Sequence, residues 1–135
     1  MTYQAHKVVL SMWNELKAAS KDLNETRDCA VKAVTVITGG VYEDVHGIFE
    51  KYGRKSRKPT PRKVTRCVMA WFFVKTIDVT ARFKAKTIRT LEREIPLTGM
   101  YLVWTRRHVL AIKAGVVFDW PKGRLRRIQR IEKVI

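Results

Sequence analysis

Acyl transfer through a thioester needs a thiol, an imidazole and a carboxylate in one place. This sequence sets one of each where the chain pattern changes, at Cys29, His108 and Asp119. Cys29 follows the polar run "NETRD" and opens the apolar segment "CAVKAVTVITG". Asp28 reads as the cap of that helix. A thiolate at a helix start is favoured by the free backbone N–H groups and by the dipole. Asn24, five residues upstream, carries an amide able to donate to an oxyanion formed on an attacked carbonyl. His108 begins "HVLAIKA", and Asp119 ends the following apolar run "GVVFD". If the turn between those runs is tight, the imidazole can take the thiol proton while the carboxylate fixes its tautomer. Each residue also has a plainer reading. Cys29 fits a core position, His108 a surface or capping position, and Asp119 a turn before "WPKG".

The elements that must position these groups follow from periodicity. "QAHKVVLSMWNELKAAS" sets Val9, Met12, Trp13 and Leu16 on one helical face. "CAVKAVTVITG" reads as a helix stopped by Gly39 and Gly40, although its valine, isoleucine and threonine content leaves a buried strand open. "YEDVHGIFEKYG" predicts a helix with Tyr42, Val45, Phe49 and Tyr52 inward and His46 partly exposed. "RKSRKPTPRK" reads as a mobile basic loop. Thr60 and Pro61 read as cap and first position of the helix "PRKVTRCVMAWFF", which carries Cys67 as a packing residue. "VKTIDVTARF" alternates like a strand, and "KTIRTLEREI" is a short helix before Pro96. "GMYLVWTRRHVLAIKAGVVFDW" reads strand, turn, strand, turn, strand. "RLRRIQRIEKVI" reads as a last strand, with a basic helix as the alternative. Trp71, Phe72 and Phe73 read as core. Trp104 and Trp120 read as core or as a substrate wall. The expected fold is one α+β domain over 1–135, with N-terminal helices packed on one face of a C-terminal antiparallel β-meander.

Asn24, the "DC" that opens a helix, "TGGVYEDV" and the late "GMYLVWTRRHVLAIKAGVVFDW" together resemble small papain-like cysteine peptidase domains, particularly those encoded by phages and bacteria. The meander residues that carry the resemblance are Gly99, Tyr101, Leu102, Val103, His108, Ala111, Gly115 and Asp119. The likeness runs from about Asn24 to Asp119. It implies a papain-like fold, Cys29 as nucleophile, His108 as general base and acid, Asp119 as orienter and Asn24 as oxyanion donor, acting on a peptide or amide bond. Arg107 stands where such domains often carry a glycine before the histidine. A phage origin would place the protein in the host cytoplasm or the virion.

Charge is the strongest global signal: 28 Lys and Arg against 12 Asp and Glu give a formal net charge of +16. Such a balance favours nucleic acid, an anionic membrane surface or an acidic protein as partner. Arg54, Lys55, Arg57, Lys58, Arg62 and Lys63 crowd the loop at 53–63, and Arg124, Arg126, Arg127 and Arg130 crowd the C-terminal segment. The plainer reading of both clusters is a solvated shell. No apolar run nears the ~20 residues of a membrane span, and the first residues lack a signal-peptide layout. An intracellular protein is the expectation. The two cysteines show no zinc-like spacing, and no metal or cofactor is expected.

Overall fold

Hydrophobic spacing builds the first layer. The computed structural model describes residues 3–119 and 123–135, with side chains from Ser11 onward. Helix α1 (Tyr3–Asp22) turns Met12, Trp13, Leu16 and Ala19 inward, three to four residues apart. Helix α2 (Cys29–Thr38) is apolar nearly all round, and Ala30, Val31, Ala33, Val34, Val36 and Ile37 are all buried. Burial on every side decides for helix where propensity alone left a strand open. Thr35 satisfies its hydroxyl on the Val31 carbonyl at 2.7 Å. Gly39 ends the helix at φ 69°, a left-handed conformation that glycine adopts without strain. Helix α3 (Tyr42–Lys51) buries Tyr42, Val45, His46 and Phe49, and helix α4 (Arg62–Trp71) buries Thr65, Val68 and Met69. Pro61, not Thr60, takes the cap position of α4.

The second layer is a five-stranded antiparallel sheet. Its strands are β1 (Thr76–Asp78), β2 (Met100–Thr105), β3 (His108–Lys113), β4 (Val116–Phe118) and β5 (Ile128–Val134), in the spatial order β1-β5-β2-β3-β4. Strands β2, β3 and β4 form the expected meander. The C-terminal segment then crosses back to pair with the other edge of β2, setting Val103 against Ile131. The alternating run "VKTIDVTARF" yields only the three residues of β1 before a 3₁₀ turn at Thr80–Arg82, where Asp78 accepts a hydrogen bond from the Thr80 N–H at 2.9 Å.

Successive strand residues face opposite sides. Leu102, Trp104, Val109, Ala111 and Phe118 pack on α1 to α4. Tyr101, Val103, Leu110, Ile112 and Ile131 pack on Ile88, Leu91 and Ile95 beyond the sheet. Those last residues belong to or adjoin α5 (Ile88–Glu94), which a Thr87–Thr90 capping box starts. Helices therefore cover both faces of the sheet, which corrects the single-face arrangement expected from element order. The short amphipathic stretch "IRTLERE" shows an apolar face but not which side of the sheet it seeks.

Three exposed residues also depart from expectation. Tyr52, Trp71 and Phe73 face solvent, Phe73 at 89% exposure. Lys51 sits over the Trp71 ring at 3.9 Å. Among the described residues, no helix is long and apolar enough to cross a membrane.

Candidate active site

The loop between α1 and α2 is set by a buried carboxylate. Glu25 accepts hydrogen bonds from Arg54 (2.7 and 3.3 Å), from the Arg57 N–H (2.7 Å) and from Ser56 (3.2 Å), and it pairs with His46 Nε2. Burial opposes the charge on Glu25, but these donors prevail and lower its pKa to about 2. Two expectations are corrected here. His46 is buried rather than partly exposed, and Arg54 is a buried counter-ion rather than a surface cation. Through Arg54, Ser56 and Arg57, the basic loop is anchored to Glu25, against the mobile loop expected from its prolines and charges.

Asp28 makes the second anchor. It occupies the cap position of α2 but makes no side-chain cap bond. Its Oδ2 instead accepts from Ser20 of α1 at 2.7 Å and from Tyr42 of α3 at 2.6 Å, and Lys32 lies 3.3 Å from Oδ1. Burial works against this carboxylate, and the Ser20 and Tyr42 bonds hold its pKa below the usual range. Burial and the Asp28 partner push the Tyr42 hydroxyl well above its ordinary pKa. Three helices thus meet at the residue before Cys29.

Cys29 is half-buried at the first position of α2, and both cysteines are free thiols. His108 starts β3 across a two-residue turn from Thr105, and Arg107 in that turn adopts φ 60°. That left-handed conformation is one that glycine adopts without strain, and here an arginine adopts it. The Ala114–Gly115 turn reverses the chain into β4, and Asp119 follows at its end, buried. His108 Nε2 lies 3.0 Å from Asp119 Oδ2. Cys29 lines the same cleft as this ring, and each shifts the other's pKa toward its charged form.

The electrostatics suit an ion pair. Burial opposes the Cys29 thiolate. His108, together with the N–H groups of Val109 and Ala30, outweighs it and lowers the thiol pKa. Burial also opposes the imidazolium. Asp119 and Cys29 overcome this and raise His108 to about 9. Gly123 brings the returning chain against this pair, because a Cβ there would lie 3.1 Å from Asp119 Oδ2.

These groups open onto a cleft of about 860 Å³. Trp13, Trp104 and Phe118 form apolar wall, and Arg27, Lys32, Arg62, Arg107 and Arg126 supply positive charge. Trp104 is both core and wall. It is 5% exposed, its indole N–H donates to Glu132, and the Arg62 and Arg66 guanidiniums stack 4.7 and 5.4 Å from its ring centre. Burial opposes the Glu132 charge, but Arg66 at 2.7 Å and Trp104 keep its pKa low. The hydroxyls of Thr60, Thr65 and Thr105, also residues of the cleft wall, are buried with no partner among the described residues.

The sequence-derived site is therefore assembled in part. Cys29, His108 and Asp119 converge. Asn24 does not join them: it is exposed, stands at φ 53°, and its side-chain oxygen accepts from Arg57 at 3.0 Å outside the cleft. The start of α2 meanwhile presents backbone N–H groups that no Asp28 side-chain cap occupies. The basic residues also divide. Arg62 and Arg126 line the cleft, and Arg124 pairs with Glu92. Arg130 pairs with Asp78 and lies near Glu132. Arg57 holds Asn24, while Lys55, Lys58, Lys63 and Arg127 are exposed. Trp120 lies outside the described residues. Trp13 and the three threonines were not legible as wall residues, because a core-facing tryptophan and scattered threonines carry no spacing signal.

No protein-family model matches this chain, and searches of curated proteins and of solved structures return no match.

Proposed function

We propose that the protein is a papain-like cysteine peptidase or a related thiol acyl-transfer enzyme, and that it acts on a peptide or amide bond. The convergence of Cys29, His108 and Asp119 on one cleft carries this reading. The Cys29 thiolate attacks the scissile carbonyl, and the developing oxyanion takes hydrogen bonds from the N–H groups at the start of α2. The C–N bond breaks as His108 gives its proton to the departing amine, leaving a thioester on Cys29. Water, deprotonated by the neutral imidazole, then cleaves the thioester and releases the acid and the thiol. An amine in place of water would complete a transfer. Free thiols and this chemistry suit a reducing interior, such as a host cytoplasm for a phage-encoded chain.

Alkylation tests the reading. Iodoacetamide near neutral pH should modify Cys29 at least about tenfold faster than Cys67, because His108 and the Val109 and Ala30 N–H groups hold Cys29 toward thiolate. Equal and slow modification of both thiols would end it.

A second reading is favoured by exposed Lys55, Lys58, Lys63 and Arg127. In it, a non-catalytic basic scaffold holds nucleic acid or an acidic protein through phosphate or carboxylate contacts. Affinity for an oligonucleotide that falls steeply with salt and survives Cys29→Ala, together with an unreactive Cys29, would select this reading over the first.

A further inference from the structure

Resting on the acyl-transfer reading, we infer that the cleft selects an acidic peptide, seating a glutamate or aspartate side chain of the substrate against Arg62 and Arg126. Four arginines outside the cleft wall find carboxylates among the described residues: Arg54 with Glu25, Arg66 with Glu132, Arg124 with Glu92 and Arg130 with Asp78. In the cleft the balance differs. Its two acids, Asp28 and Asp119, are engaged by Ser20, Tyr42 and Lys32 and by His108. Arg27, Arg62, Arg107 and Arg126 line the same space with no carboxylate partner among the described residues. An anionic ligand is the complement of such a wall, and a guanidinium matches a carboxylate in a two-point geometry. Stacking on Trp104 restrains Arg62, which lowers the cost of ordering it on a ligand.

The wall gives a second, independent sign. Thr65 and Thr105 are 1% and 2% exposed, and their hydroxyls, with that of Thr60, have no partner among the described residues. Buried hydroxyls are nearly always paired, so unpaired ones beside a cleft point to a ligand oxygen or its bridging water. A peptide carboxylate fits better than nucleic acid. Binding of single strands relies on open aromatic faces, and Trp104 is buried and already covered by two guanidiniums. Trp13 packs edge-on against Phe118, with Lys32 over its ring.

Binding by full-length Cys29→Ala protein at about 0.15 M salt tests this without requiring turnover. The probes are a fluorescent peptide containing glutamate and its glutamine counterpart. The glutamate peptide should bind at least about tenfold tighter, and Arg62→Gln combined with Arg126→Gln should erase that preference. Lys84→Gln combined with Arg93→Gln, which removes the same charge at exposed positions on or beside α5 beyond the sheet, should leave most of it. Equal binding of the two peptides would overturn the inference. So would equal losses in the two double variants, because overall charge would then account for the affinity. Tighter binding of a short single-stranded oligonucleotide, lost in the cleft double variant, would overturn it in favour of nucleic acid. Selective peptide binding by a protein whose native Cys29 neither turns over nor alkylates quickly would instead refute only the enzymatic reading.

Discussion

His108 Nε2 stands 3.0 Å from Asp119 Oδ2, and this pairing decides which ring nitrogen is left for sulfur. With Nε2 given to the carboxylate, Nδ1 is the nitrogen available to Cys29. The carboxylate stabilises the protonated ring, and the protonated ring stabilises the thiolate. The two shifts, His108 up to about 9 and Cys29 down, are thus one coupled effect.

The pH dependence follows with a definite sign. The thiolate form of Cys29 persists below the ordinary thiol range, so alkylation by iodoacetamide should stay fast on the acid side of that range. In the acyl-transfer reading, the proton that His108 would give to the leaving amine is present below about 9 and lost above it. Peptide turnover should therefore trace a bell whose alkaline limb falls near pH 9. In His108→Ala, burial of Cys29 is no longer opposed by the ring, and the thiol pKa should rise. A pH profile of Cys29 modification followed by mass spectrometry reads this directly. An unmoved profile in the variant would show that ring and sulfur are uncoupled.

Asp119→Asn keeps a hydrogen-bonding group beside the ring but removes its charge. His108 should then lose its proton at lower pH, and the alkaline limb of turnover should move in the acid direction. Turnover at neutral pH should drop by about 10²-fold or more. A matched loss of rate with no movement of the limb would assign Asp119 a purely structural part.

Glu25→Gln should weaken the fold more than the chemistry. It leaves the Arg54 guanidinium, whose side chain is fully buried, without an anion. Breaking such a pair costs about 3–5 kcal/mol, visible as a clear fall in Tm. The native carboxyl has its pKa lowered to about 2, so its contribution is complete above the unfolded value near 4.5 and disappears as pH falls toward 2. Thermal melts across that window should be steeper in the native protein than in the variant.

Gly115→Ala tests the turn that carries Asp119 back to His108. Gly115 sits at φ 77°, and an added Cβ would lie 2.7 Å from Leu97 Cδ2. The left-handed conformation alone costs about 1–2 kcal/mol for a residue with a side chain. Adding Leu97→Ala should return the steric share of the loss but not the backbone share. Full recovery of Tm in the double variant would contradict the conformational argument.

The triad was legible because its members sit at changes of pattern. Cys29 ends a polar run, His108 follows the "TRR" break, and Asp119 closes the last short strand. Local sequence marks such positions. It does not mark long-range partners. Arg54 reads as one cation in a basic run, and nothing near it reveals that Glu25 waits in another loop. His46 reads as partly exposed for the same reason, because its partner Glu25 lies 21 residues away in sequence. Asn24 had the right chemistry, but a left-handed backbone and the Arg57 contact turn it away from the cleft. The placement of α5 beyond the sheet also depended on which strand face was still uncovered.

Helix α2 packs chiefly on β3, so the sulfur meets its imidazole only through a contact between distant parts of the chain. During synthesis, Cys29 emerges long before His108 and Asp119 exist. Until the later hairpin is made and docks, the emerging polypeptide carries nothing more than an ordinary thiol. Any thiolate character that His108 lends Cys29 therefore waits for the later hairpin to dock, and opening of the hairpin from the helix removes it.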